Sequence, residues 1–245
     1  GRGPAESSAA MQAIAHEELL VGASGALLSD LGDRGRTLHA EAMPADLVAD
    51  VSAVILEERH KVLLLKDGDA AGYDYLAIGP HALDPASTWW FETLPVRVRF
   101  VEHVEEDPHP EATVRIGAVA REDQLAPIAE HLRGVVGERA WLHHWGAVTS
   151  THATGSPTHL LEVFQPRVDK WTMLLRICAM RGIDPSQVVA IGDGLNDVTM
   201  VREAGLGIAM GNADPRVAAV ADRGTRDHAS AGVAAAIDHM LEGTW

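Results

Sequence analysis

The spacing of apolar and polar positions changes character along the chain. Ser7–Leu20 is alanine-rich with apolar residues at helical spacing, which predicts a helix. An apolar run cut by two glycines, Leu20–Leu28, follows, and then a polar turn, Ser29–Gly35. Met43-Pro44-Ala45-Asp46 marks a boundary, with Pro44 at a helix start and an amphipathic segment on to Arg59. From about 45 to 160, strand-like runs (Lys61–Lys66, Val96–Val101, Thr113–Val119) alternate with helix-like ones such as Arg121–Gly134. Pro108, Pro110 and the Asp67–Gly72 group mark loops, so this stretch predicts a small α+β domain with one sheet. From Leu160 the alternation is strict. It predicts a helix Val168–Arg181 stopped by Gly182, a turn at Asp184–Ser186 and a buried strand Gln187–Ile191. A helix Leu195–Ala204 stopped by Gly205, an apolar strand Leu206–Met210, and helices Asp214–Ala221 and Ser230–Leu241 complete it. Two strands joined by a helix through short loops form a βαβ unit, so they are parallel and end at one sheet edge.

Composition narrows the class. With 245 residues and 47% apolar positions the chain can bury a sizeable core, and no internal repeat or long linker divides it. Lys+Arg is 20 against 35 Asp+Glu, a net charge of −15, which argues against a nucleic-acid binder. Cys178 is the only cysteine, which excludes a disulfide framework or a Cys-rich zinc site. No apolar run reaches the ~18 residues of a membrane span. The start, Gly1-Arg2-Gly3-Pro4, lacks both a secretory layout and an initiator Met, so a cytoplasmic protein with residues upstream is expected.

The candidate chemistry lies at the predicted strand ends. Gly192-Asp193-Gly194-Leu195-Asn196-Asp197 follows the first, and ligands of doubly wound sheets sit beyond such ends. Asp193 and Asp197 repel one another unless a cation intervenes, and hard oxygen donors beside a phosphate favour Mg²⁺. Gly194 is expected to permit a sharp turn, and Asn196 to offer an amide at a helix N-terminus. The alternative is a plain Gly/Asp turn with Asp197 complementing the helix dipole. The second strand ends in Gly211-Asn212, which parallel pairing brings to the same edge, though an Asn after Gly can simply accept a left-handed backbone. Lysine occurs only at 61, 66 and 170, while 17 of the 20 basic residues are arginine. Lys170, at a helix start, is thus a candidate phosphate-site ammonium; taken alone it reads more readily as a solvated surface lysine beside Asp169, and its spacing to the other two loops turns the balance.

Together Val168-Asp169-Lys170, Val188–Met200 (VVAIGDGLNDVTM) and Gly207–Pro215 (GIAMGNADP) resemble the haloacid dehalogenase superfamily, specifically its Cof-type phosphatases. The resemblance implies an α/β fold in which residues 1–44 and 161–245 belong to a Rossmann-like core and 45–160 to an inserted α+β cap. It also implies phosphoryl transfer from a small phosphorylated metabolite, such as a sugar phosphate, to an aspartate, followed by hydrolysis. Asp193 and Asp197 are the implied Mg²⁺ ligands, with Lys170 and Asp197 in catalytic roles. Asn196, Asn212 and Arg2 are implied to bind substrate, Arg2 as the end of the family's second motif. Ser24, Thr199 and Trp171 depart from the usual Asn, acidic residue and Gly.

The family's first motif, an Asp-x-Asp after an apolar strand, supplies the nucleophile. Residues 1–45 contain none, and Asp67-Gly68-Asp69 reads as a hairpin turn. Roughly forty further N-terminal residues are therefore expected in the native protein. The rival reading is a non-catalytic binding or regulatory protein that keeps the fold without the nucleophile. Trp89, Trp90, His143, His144 and His152 are candidates to close over a substrate, and no spacing among the histidines makes a zinc site. Neither the particular substrate nor the oligomeric state follows from these patterns.

Overall fold

A computed structural model describes residues 2–146, 158–166 and 168–245, which form two compact units, Gly1–Val168 and Asp169–Trp245. His152 lies outside the described residues.

The first unit opens with a helix, Pro4–Ala13, capped by Pro4 in its first turn and by the Glu6 carboxylate. It is shorter than the alanine pattern suggests. Ala15 has φ 52°, and the chain then enters an antiparallel three-stranded sheet of β1 (Leu19–Gly22), β2 (Leu27–Asp30) and β3 (Arg36–Ala40). Apolar spacing in a short alanine-rich run says little about length, because alanine fits a helix and a loop alike.

The main sheet is built from β4 (Val62–Lys66), β5 (Tyr75–Ile78), β6 (Val98–Val101), β7 (Thr113–Arg121), β8 (Trp141–Gly146) and β9 (Thr158–Phe164). Their order is β6-β5-β4-β7-β9-β8, antiparallel except for the β5–β6 pair. The expected strands are all present, and Asp67-Gly68-Asp69 sits in the connection between antiparallel β4 and β5, where Gly68–Ala71 makes one helical turn capped by Asp67. Period-two alternation sends Val62, Leu64, Ile116, Leu161 and Val163 to one face. There they meet Val51 and Ile55 of helix Ala45–Glu57 and Leu125, Ile128 and Leu132 of helix Glu122–Val136. Each such fully buried side chain contributes roughly 1.5–3 kcal/mol. Leu63, Leu65, Tyr75 and Ala77 point to the other face, where Ala23, Ala26 and Leu27 cover part of the sheet.

The second unit is the predicted βαβ pattern. β10 (Val189–Gly192), β11 (Leu206–Ala209) and β12 (Arg223–Gly224) are parallel, in that order. Helix Lys170–Arg181 starts at the Asp169 cap and stops at Gly182, φ 65°. The later helices are Val198–Glu203, Pro215–Ala218 and Gly232–Leu241. Two expectations change. The segment after Asp214 is one turn of helix, not two. Val189 is 41% exposed, because β10 is an edge strand whose only partner among the described residues is β11.

Candidate active site

β10 and β11 pair in parallel with Gly192 opposite Ala209, so both chains leave the sheet at one edge. That register carries Asp193 and Asn212 to neighbouring positions, and Asn212 Nδ2 donates to Asp193 Oδ2 at 2.8 Å. Asn212 is fixed from behind, its Oδ1 accepting from the His228 backbone amide at 3.0 Å. A Cβ on Gly211 would stand 2.7 Å from the Asp227 amide nitrogen, so glycine is what lets the segment after β12 come close enough to hold Asn212. Asn212 is not among the positive-φ residues, which removes the left-handed reading of that asparagine. The Asp193 carbonyl accepts from the Asp214 amide at 2.9 Å, a further tie between the two loops.

Asp197 stands one short helical turn beyond Asp193 and is buried, at 4% exposure. Its Oδ1 accepts from Lys170 Nζ at 2.5 Å, and its Oδ2 accepts from the backbone amides of Asp193 and Gly194, each at 3.0 Å. The repulsion expected between the two aspartates is thus relieved within the protein: Asp197 takes an ammonium and two amides, Asp193 an amide. A charge-assisted bond of this kind is roughly twice as strong as a neutral one. The two carboxylates are therefore not equivalent. Asp197 orients Lys170 and the loop, whereas Asp193 is exposed and its Oδ1 has no protein donor among the described residues.

The glycines act by size. Gly194 has φ −100°, an ordinary value, so the sharp-turn expectation is corrected. What the site needs at Gly192 is room: a Cβ there would lie 2.5 Å from Asp197 Cβ and 3.0 Å from Val201 Cγ2. A Cβ on Gly194 would lie 2.8 Å from Asn196 Oδ1. Asn196 is half-buried in the turn between Asp193 and Asp197. The structure thus gathers Lys170, Asp193, Asn196, Asp197 and Asn212 in the second unit. Arg2 belongs to the first, where its guanidinium lies 5.0 Å from the Trp90 ring centre and its carbonyl accepts from the Ala23 amide. Sequence reasoning missed the size constraint at Gly192 and Gly211 and the His228 amide; G-x-G spacing was the only available signal.

The donor chemistry fits magnesium: one outward-facing carboxylate oxygen, a second carboxylate beside it, and no nitrogen or sulfur donor in the set. Among the described residues no cluster of three or more His, Cys, Asp or Glu side chains could hold a metal, so water or substrate oxygen would complete the shell. No helix described is long and apolar enough to cross a membrane.

A family model described as haloacid dehalogenase-like hydrolase matches residues 1–237. The phosphoglycolate phosphatase of Methanopyrus kandleri is 45% identical over 89 residues, 36% of this chain and 37% of that protein. The 5-amino-6-(5-phospho-D-ribitylamino)uracil phosphatase YcsE of Bacillus subtilis is 43% identical over 86 residues, 35% of this chain and 34% of that protein. The matched stretch thus spans about a third of each curated relative. Among solved structures, a haloacid dehalogenase-like hydrolase from Bacteroides thetaiotaomicron aligns with TM-score 0.77 at 19% identity, covering 98% of this chain and 84% of that one. A sugar phosphatase of haloacid dehalogenase subclass IIB aligns with TM-score 0.68 at 17% identity, covering 95% and 79%.

Proposed function

The chain belongs to the haloacid dehalogenase-like hydrolases, and from that premise we propose that the protein is a Mg²⁺-dependent phosphatase. Its substrate is a small phosphorylated metabolite such as a sugar phosphate, and its route an aspartyl-phosphate intermediate. The observation that carries this reading is the Lys170–Asp197–loop–Asp193–Asn212 constellation, held at one strand edge by five short hydrogen bonds. Mg²⁺, when bound, supplies neutralisation of phosphate charge. Asp193 is its main protein ligand, and Asp197 lies behind it. Lys170 presents its ammonium to the carboxylate–phosphate cluster in an orientation fixed by Asp197. Asn196 contacts the transferring phosphate, and Asn212 holds Asp193 in its ligating rotamer. Arg2 is assigned to substrate binding on the family resemblance alone. Named phosphatases among the relatives support the reaction class. Family membership also supports dividing the chain into a core, 1–44 with 161–245, and a cap, 45–160. We place the protein in the cytoplasm.

The family's Asp-x-Asp motif has no counterpart in residues 1–45, and the test uses the intact protein. Hydrolysis of a generic phosphate ester should require Mg²⁺ and fall about a hundredfold or more in Asp193→Asn. Equal turnover in both proteins would remove the proposed metal role. Absence of turnover, with Mg²⁺ and phosphate binding retained, would favour a non-catalytic binding protein instead.

A further inference from the structure

We propose that His144 and His159 form a two-histidine site for a transition-metal dication of the Zn²⁺ class, on the helix-covered face of the main sheet and separate from the aspartate site. The two residues are fifteen apart in sequence and come together only because β8 and β9 pair. His159 stands opposite Gly146, and His144 opposite Leu161, so the histidines are diagonal neighbours on one face. Sequence spacing could not reveal this, which is why the histidines read as unconnected.

The two nitrogens lie close enough to share one metal as their apex. His159 Nδ1 and His144 Nε2 are 3.2 Å apart, and the ring centroids 5.0 Å. A metal about 2.1 Å from each nitrogen would then subtend an angle of about 100°, between square and tetrahedral values, and would place the ring centres about 5.0 Å apart. Without metal this contact is an N–H···N hydrogen bond, and a bound metal would take the place of its shared proton.

The surroundings also suit a metal. The other nitrogen of His159, Nε2, lies 3.7 Å from Glu122 Oε2, at the start of helix Glu122–Val136. At this distance the contact is an ionic neighbour rather than a hydrogen bond, and its negative charge favours a proton on the far nitrogen. The unfavourable neighbour is Arg133, and its guanidinium is paired with Glu130 at 2.8 Å. With no third ligand among the described residues, water fills the remaining positions. Imidazole donors select Zn²⁺, Ni²⁺ or Cu²⁺ over Mg²⁺.

The test is ZnCl₂ titration of the intact chain by calorimetry, with thermal melting in parallel. One saturable ion at this site, a matching rise in Tm, and no displacement by excess MgCl₂ are expected. His144→Ala and His159→Ala should each abolish that saturable phase, and Glu122→Gln should weaken it up to about tenfold. Metal-free circular dichroism and melting show whether each variant folds. Should one fail to, proton–nitrogen correlation spectra of the wild-type imidazoles decide, with Zn²⁺ shifting two ring systems. Absence of saturable binding, binding unchanged in both alanine variants, or ring shifts at other histidines would overturn the proposal.

Discussion

Asp197 was legible as a functional candidate from its spacing to Asp193, but its partners were not. Both its oxygens are committed, to Lys170 and to two loop amides, in a site 4% exposed. Asp197→Asn would turn an amide NH₂ toward one of these donors. It should therefore destabilise the fold by about 1–3 kcal/mol and misplace Lys170, read as a lower urea midpoint together with lost phosphatase turnover. Lys66 is the opposite case, a lysine that sequence gave no reason to bury. It is fully enclosed and donates to Asp107, to Thr113 Oγ1 at 2.6 Å and to the His109 carbonyl at 3.0 Å. Removing Asp107 by alanine substitution leaves that ammonium unpaired and should cost about 3–5 kcal/mol in urea unfolding. The two tyrosines give a pH signature. Burial, with Asp107 beside it, pushes Tyr73 up to about 12, and burial with Glu6 pushes Tyr75 well above the ordinary value of 10.0. Above pH 10 the unfolded chain releases phenol protons that the folded chain keeps. The folded state then binds more protons, and stability falls as pH rises through that window. Tyrosinate absorbance should stay flat in the native protein at pH 10 and appear on unfolding.

At the scale of elements, helices with a clear apolar stripe were readable and short ones were not. Ala45–Glu57 and Glu122–Val136 follow their patterns closely, because Val51, Ile55, Leu125 and Leu132 must all face the sheet. The N-terminal helix and the turn after Asp214 fell short, since alanine and single polar residues impose no face. Contacts between elements were hidden wherever the side chain is absent. A Cβ on Gly207 of β11 would sit 1.8 Å from the Val201 carbonyl oxygen of the crossover helix. Gly207→Ala must push that helix off the strand and should cost about 1–3 kcal/mol or more in thermal or urea unfolding. The same displacement would carry Asp197, just ahead of that helix, away from Lys170.

Across the whole molecule the two units are unequally supported. The first packs helices on a six-stranded sheet around a large apolar cluster, whereas the second has a small cluster of Val201, Ala209 and Val217, with Trp171, Met173, Ile208 and Met210 also buried, and leaves Leu175, Met180, Ile183, Val233 and Leu241 exposed. Native-state hydrogen exchange should therefore protect amides of β4, β7 and β9 well beyond those of β10–β12. The parallel β10–β11 pair and the strand-tip placement of Asp193 and Asn212 were set by the sequence itself. A short βαβ connection admits essentially one handedness and one edge for its loops. The chain alone could not say which carboxylate Lys170 would hold, that Lys66 would be sealed in the sheet, or that His144 and His159 would meet. Those outcomes depend on distances between segments remote along the chain, and only the packed structure sets them.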